Sequence, residues 1–347
     1  MDAKGEKVTN MPDDIILLGH GSGGKLSHQL LDELIIPMLS EVETKDQNDA
    51  ALLTHAGQRL AFTTDSYVVD PIFFPGGTIG DLAVYGTVND LAMVGAQPLA
   101  ISVGLILEEG LPKDDLQRVL ESMKQAAASA GVRIVTGDTK VVPRGKADKI
   151  FINTSGIGVF AHDFNLTGNN ARPGDKVLIN GSIGDHGMAI LASREGLALE
   201  TDISSDSAPL NGLVEALLTH IGAAVHVLRD PTRGGVATTL KEIALQSGVD
   251  IVLDETAQPV HHNVRSACAI LGLDPLFVAN EGKMLAVVAA DQAEAALQIM
   301  RSHPRGLEAA IIGEVSAAST GRVAMRTALG GLRAIDMLAG EQLPRIC

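Results

Sequence analysis

Gly80-Asp81-Leu82-Ala83-Val84-Tyr85-Gly86-Thr87-Val88-Asn89-Asp90-Leu91-Ala92-Met93-Val94 is the stretch whose reading decides the fold class. Its apolar residues predict a helix over Gly80–Val94, and the flanking runs Arg59–Phe62 and Leu99–Leu107 read as strands. Asp90 lies inside this apolar helix, where capping cannot explain an acid. Working outward, the pattern predicts strands at Arg133–Thr136 and Lys149–Phe160 and a helix at Lys113–Ala130. Upstream, a glycine turn at 19–24 leads into an amphipathic helix over Lys25–Leu39. Downstream, Asn165–Pro173 is rich in Asn, Gly and Pro and marks a domain boundary. The second half predicts strands at Lys176–Asn180, Asp250–Leu253, Met284–Ala289 and Ala309–Val315. Helices are expected at Gly184–Gly196, Ala208–Ile221, Val236–Ser247, Val264–Leu271 and Gln292–His303. Both halves mix strands and helices, which gives an α/β (α+β) chain of two domains, 17–165 and 166–335. A mobile arm (1–16) precedes them and a flexible tail (336–347) follows.

Composition narrows the function classes. Apolar residues make up 46% and aromatic residues 3%, with no tryptophan, so aliphatic side chains fill the cores. A net charge of −15 argues against a general nucleic-acid or anionic-membrane surface. No apolar run reaches the ~18–20 residues of a membrane span, and the N-terminus does not read as a signal peptide. Two cysteines without metal-ligand spacing fit a reducing cytoplasm. Cys268, in an apolar helix, reads as a core residue, and His261-His262 as helix-start polarity. Cys347 is different. It is the last residue, preceded by Gly340 and Pro344, and reads either as a frayed end or as a nucleophile on a movable arm. Nine extended residues reach roughly 30 Å.

Acidic turns recur along the chain. Asn48-Asp49 precedes a strand, Asp65 closes the strand containing Phe62, Asn89-Asp90 sits in the helix, and Asp138-Thr139-Lys140 forms a turn after Arg133–Thr136. Asp230 adds a fifth in the second half. Mg²⁺ takes one or two carboxylates together with phosphate and water, so such aspartates suit a metal–nucleotide site. Aspartate also favours turns for its own hydrogen bonds, and both readings stay open for each residue alone. Gly23-Gly24-Lys25, opening a helix, could cradle a phosphate, although the P-loop spacing is missing.

Together the motifs carry more. Gly-His-Gly-Ser-Gly-Gly-Lys at 19–25, Thr-Asp-Ser-Tyr at 64–67, Gly-Thr-Val-Asn-Asp-Leu-Ala at 86–92, Val-Thr-Gly-Asp-Thr-Lys-Val-Val at 135–142, Gly-Asp-His-Gly at 184–187, Asp-Pro-Thr-Arg-Gly-Gly at 230–235, Asn-Glu-Gly-Lys at 280–283 and the terminal Pro-Arg-Ile-Cys resemble the HypE family of nickel–iron hydrogenase maturation factors. The likeness runs from about residue 17 to the end. Other PurM-like relatives, such as selenophosphate synthetase, lack the cysteine tail. The resemblance implies an N-terminal sheet domain that forms a barrel at a homodimer interface, and a C-terminal α/β sandwich. It implies ATP and Mg²⁺ in a cleft, with Asp49, Asp90 and Asp230 on the metal. Gly23, Gly24, Lys25, Asp65, Asn89, Asp138 and Thr139 would serve the nucleotide. Asn48 departs from a pair of acids and offers only a neutral oxygen.

The implied reaction dehydrates an S-carboxamide on Cys347 to a thiocyanate, the source of the iron's cyanide ligands. Oxide cannot leave at neutral pH, so ATP must convert the oxygen to a phosphate. Glu281 and Lys140 are matched to positions beside the modified cysteine, with Glu281 as proton acceptor. The implied partners are the carbamoyltransferase HypF and the HypC–HypD iron scaffold. A selenophosphate-type synthetase needs an early cysteine that this chain lacks, and a mere carrier would need no nucleotide site.

Overall fold

The computed structural model describes residues 15–39, 48–194, 202–338 and 345–347. The first half runs α1 (Lys25–Leu30), a π-helical turn (Leu31–Ile35), α2 (Ile36–Leu39), β1 (Ala51–His55), β2 (Gln58–Tyr67), a small hairpin of β3 (Phe73–Phe74) and β4 (Gly77–Thr78), α3 (Ile79–Met93), β5 (Gln97–Glu108), α4 (Lys113–Ala130), β6 (Arg133–Val142) and β7 (Ile150–Val159). Five of its strands form a sheet in the order β1-β2-β7-β5-β6. Only β5 and β6 run parallel, and α4 supplies the crossover that a parallel pair requires.

Burial alternates along β7, where Ile150, Ile152, Thr154, Gly156 and Gly158 all point inward. That face carries α3. A Cβ on Gly156 would stand 2.7 Å from the Thr87 side chain and 2.9 Å from that of Leu91, so the missing side chain lets the helix lie close. Thr78 starts α3, its hydroxyl accepting from the Gly80 and Asp81 amides. The opposite face is open: Phe62 and Ile106 are exposed on it.

The second half runs β8 (Lys176–Ile179), α5 (Asp185–Ala192), α6 (Asn211–Ile221), β9 (Val225–Arg229), α7 (Gly235–Ser247), β10 (Asp250–Asp254), α8 (His262–Leu271), β11 (Leu285–Val288), α9 (Ala293–Ser302), β12 (Ala310–Ser316), β13 (Val323–Arg326) and β14 (Leu332–Ile335). Its sheet has the order β14-β13-β10-β12-β8-β11-β9. Val177 and Ile179 pack toward Val236 and Leu240 of α7, whereas Leu178 packs toward Leu213 of α6 and Met300 of α9. Helices therefore cover both faces, and every residue of β11 is buried. Ala92 and Met93 at the end of α3 join this second core, which clasps the two halves together.

Several expectations change. Asp65 lies within β2, which continues to Tyr67, and 137–140 lie within β6 and not in a turn. Ladder bonds to β5 hold that segment extended, and Gly137 fits because a Cβ there would meet the Val103 carbonyl oxygen at 2.5 Å. Strands β1, β3, β4, β9, β13 and β14 go beyond the predicted set. Cys268 is buried in α8, as expected, and burial pushes its thiol up to about 11. His261 caps the start of α8, with Nδ1 2.9 Å from Asp185. The arm at 1–14 and tail residues 339–344 lie outside the described residues.

Candidate active site

The acids of the two halves meet where α3, β2 and the loop after β9 converge. Thr63 Oγ1, on the inner face of β2, lies 2.8 Å from Asp90 Oδ2 and 3.0 Å from the Asp49 carbonyl oxygen. Asp49 Oδ1 is 2.8 Å from Arg229 Nε, and Arg229 Nη2 donates to Glu242 Oε2 at 2.8 Å. Glu242 in turn lies 3.0 Å from His28 Nε2. Burial pushes the Asp90 carboxyl well above the usual range, and the neighbouring Asp230 and Asp65 push it further. Asp230 is raised by burial and by Asp49, and Glu281 by burial, Asp230 and Asp65. Burial lifts Asp49 to about 6 against the pull of Arg229. Carboxylates crowded this way take up protons or a cation. A cavity of about 840 Å³ opens beside them, lined by Gly21 and Gly23 of the glycine turn, by Asp49 and Thr64, and by Asp230 and Arg233.

The chain's last residues dock at the same place. The Val68 amide donates to the Cys347 carbonyl at 3.0 Å and the Asp70 amide to that of Arg345 at 3.4 Å, so 345–347 continue the pairing pattern beyond β2. Ile346 is only 5% exposed and sits in the first core. His186 Nε2 lies 2.6 Å from the Ile346 carbonyl oxygen, and its Nδ1 lies 2.8 Å from Ser205 Oγ. Burial pushes the Cys347 thiol up to about 12, opposed by Arg233, with Glu281 and Asp65 adding to the rise. The end of the chain is docked without regular structure, held by the buried Ile346, by backbone bonds to Val68 and Asp70, and by the Arg345 guanidinium, whose Nε donates to the Val68 carbonyl at 3.0 Å.

Two family models match, the AIR synthase related protein N-terminal domain over residues 47–160 and its C-terminal domain over 172–326. The carbamoyl dehydratase HypE of Azotobacter vinelandii is 54% identical over 328 residues, 94% of this chain and 96% of that protein. The chain belongs to the HypE family. Among solved structures, a HypE–HypF complex superposes with a TM-score of 0.85 at 51% identity, covering 89% of this chain and 99% of that one. A HypE complex with ATP gives 0.80 at 55% identity, covering 96% and 100%.

In this HypE-family chain the fold gathers Asp49, Asp65, Asp90, Asp230, Glu281 and Cys347 but scatters other predicted site residues. Asn89 has protein partners. It is fully buried and spends its amide on protein, donating to the Ala208 and Glu281 carbonyls at 3.1 Å each and accepting from the Leu210 amide at 2.9 Å. It therefore ties α3 to the second half and is not free for a nucleotide. Asp138, Thr139 and Lys140 stand apart from the gathered acids within one chain. They lie on the exposed outermost strand β6, where Lys140 Nζ pairs with Asp138 at 2.5 Å. Asp138 and Lys140 share the open face of the sheet, away from α3. Gly24 and Lys25 serve protein contacts: the Lys25 amide donates to Leu338, and Lys25 Nζ lies 3.1 Å from Asp336. Gly23, at φ +77°, packs against Arg233, where a Cβ would come within 2.8 Å. Asn48 Oδ1 accepts from the Gly168 amide at 2.9 Å. Tyr67, His186 and Arg233 lie inside the quoted motifs, but sequence reading gives no role to them or to Arg229. Two arginines flanking Asp230 were the available signal, since cations beside an acidic turn mark a charge cluster.

Proposed function

We propose that this protein is an ATP-dependent carbamoyl dehydratase that acts on its own Cys347, making the thiocyanate that supplies the cyanide ligands of nickel–iron hydrogenase. The observation that carries this reading is the docked end of the chain, where Ile346 is buried in the first core and the charges of Arg233, Glu281 and Asp65 act on the Cys347 thiol. A HypF carbamoyltransferase loads the carbamoyl group, as a relative crystallised with HypF supports, and a HypC–HypD scaffold receives the cyanide.

The chemistry balances without an oxidant. The carboxamide oxygen takes the γ-phosphoryl group, its nitrogen gives up both protons, and the C–O bond breaks to leave S–C≡N, ADP and phosphate. Glu281 accepts a nitrogen proton. Burial and the neighbouring Asp230 and Asp65 raise its affinity for protons, with Arg233 opposing them, and a glutamate needs such a rise to serve as a base near neutral pH. Asp49, Asp90 and Asp230 would hold Mg²⁺. Asp49 Oδ2 is buried with no hydrogen-bond partner, and the other two carboxyls are raised by crowding, both of which a cation relieves. Among the described residues no three such side chains stand close enough to hold one ion, so one or two of these carboxylates at a time would share it with phosphate and water. Bound Mg²⁺ would offset charge on the phosphates. Thr64, next to Asp65 in β2, and Gly21 and Gly23 of the glycine turn line the cavity that would take the nucleotide.

Two copies pair through the open face of the first sheet, which carries Phe62 and Ile106 together with Asp138 and Lys140. Lys140 then contributes from that interface. Intact-mass measurement tests the reading: Cys347 loaded with carbamoyl should lose one water on adding Mg-ATP, with one phosphate released per thiocyanate. Glu281→Gln and Lys140→Ala should load normally and fail to dehydrate. Normal dehydration in either variant overturns that residue's role, and no water loss in the parent overturns the function.

A further inference from the structure

We propose that the Tyr67 hydroxyl touches the substrate during dehydration, accepting an N–H from the carboxamide on Cys347. This deepens the dehydratase reading and rests on it. Tyr67 ends β2 and is 1% exposed, yet its hydroxyl is buried without a hydrogen-bond partner. Asp65 and Thr87 are near enough to act on it, but neither completes a bond of good geometry. A buried orphan hydroxyl is destabilising, and phenylalanine would avoid that cost. Gly86 keeps the space for it: a Cβ on that residue would come within 2.1 Å of the hydroxyl oxygen. Two residues on separate elements are thus shaped around a polar group that the protein leaves unpaired.

Its surroundings name the partner. The next residue, Val68, holds the Cys347 carbonyl. Asp65, Glu281 and Arg233 act on both Tyr67 and Cys347, so the phenol and the thiol face the same charges. This pocket is rich in acceptors and has one strong donor. A carboxamide brings two N–H donors and one acceptor oxygen; a thiol or a nitrile brings no N–H. A phenol oxygen can accept one N–H. Tyr67 thereby holds the amide nitrogen while Glu281 removes its proton. The phenol keeps its own proton, because burial and the nearby acids push its pKa well up.

Tyr67→Phe removes one atom and tests this directly. Expected is full loading by the carbamoyltransferase, dehydration slowed roughly tenfold or more in single turnover, and a melting temperature equal to the parent's or higher. An unchanged dehydration rate overturns the proposal. So does a lowered melting temperature, which would mean that the protein itself satisfies the hydroxyl. If the parent does not dehydrate with Mg-ATP, the dehydratase reading fails; an active parent with an equally active Tyr67→Phe variant overturns only the role of Tyr67.

Discussion

Cys347 shows how one residue's burial sets its reactivity. An exposed cysteine thiol titrates near pH 8.5, and docking raises this one to about 12. The sign follows from linkage: docking favours the protonated thiol, so its contribution is full below about pH 8.5 and is lost as pH rises toward about 12. Arg233 opposes the shift without cancelling it. Alkylation by iodoacetamide should therefore be slower at Cys347 than in a free peptide ending Pro-Arg-Ile-Cys across pH 7–8, and should climb as the tail releases at higher pH. Equal rates for protein and peptide would mean that the tail resides outside the cleft. Once carbamoylated, the sulfur carries no acidic proton, and docking should lose this pH dependence. Among these groups the sequence marked Cys347 and Glu281 through their motifs. It could not show Arg233 or Tyr67 as neighbours of the thiol, because they are 114 and 280 positions from Cys347 in the chain.

At the scale of elements, α3 is the hinge of the site, since it carries Asn89 and Asp90 and its end enters the second core. Its start depends on Thr78, whose hydroxyl accepts from Gly80 at 3.0 Å and Asp81 at 3.3 Å while donating to Asp81 Oδ1 at 2.6 Å. Thr78→Ala should cost about 1 kcal/mol, read as a lower urea midpoint with an unchanged slope. No change would place the capping elsewhere. This helix was legible because its apolar run is long and local. Strand β6 was not: Gly137 and Asp138 look like turn residues, and only pairing with β5, thirty-odd positions upstream, makes them extended. Asp65 was misplaced for the same reason, because β2 is lengthened by its ladder to β7. Strands β13 and β14 have four residues each, too short for a periodicity to emerge.

At the scale of the molecule, the two faces of the first sheet have opposite fates. The inner face is closed by α3 and α4, while the outer face leaves Phe62 43% and Ile106 40% exposed. Around them lies a polar network: Ser155 Oγ donates to Thr64 Oγ1 at 3.1 Å, and Asn153 Nδ2 to Ser66 Oγ at 2.9 Å. Apolar side chains on the edge strands, Leu52 and Leu53 on β1 and Ile134, Val135 and Val141 on β6, are exposed as well. An apolar face with unpaired outer strands is a surface that a second copy can cover without rearrangement. Thr64 also lines the cavity of about 840 Å³, so burying this face would reach the candidate site. Ile106→Glu should leave the fold intact, since Ile106 packs in neither core, and should shift sedimentation from dimer to monomer. A parent that sediments as a monomer would refute the pairing, and would leave Lys140 without a route to the chemistry.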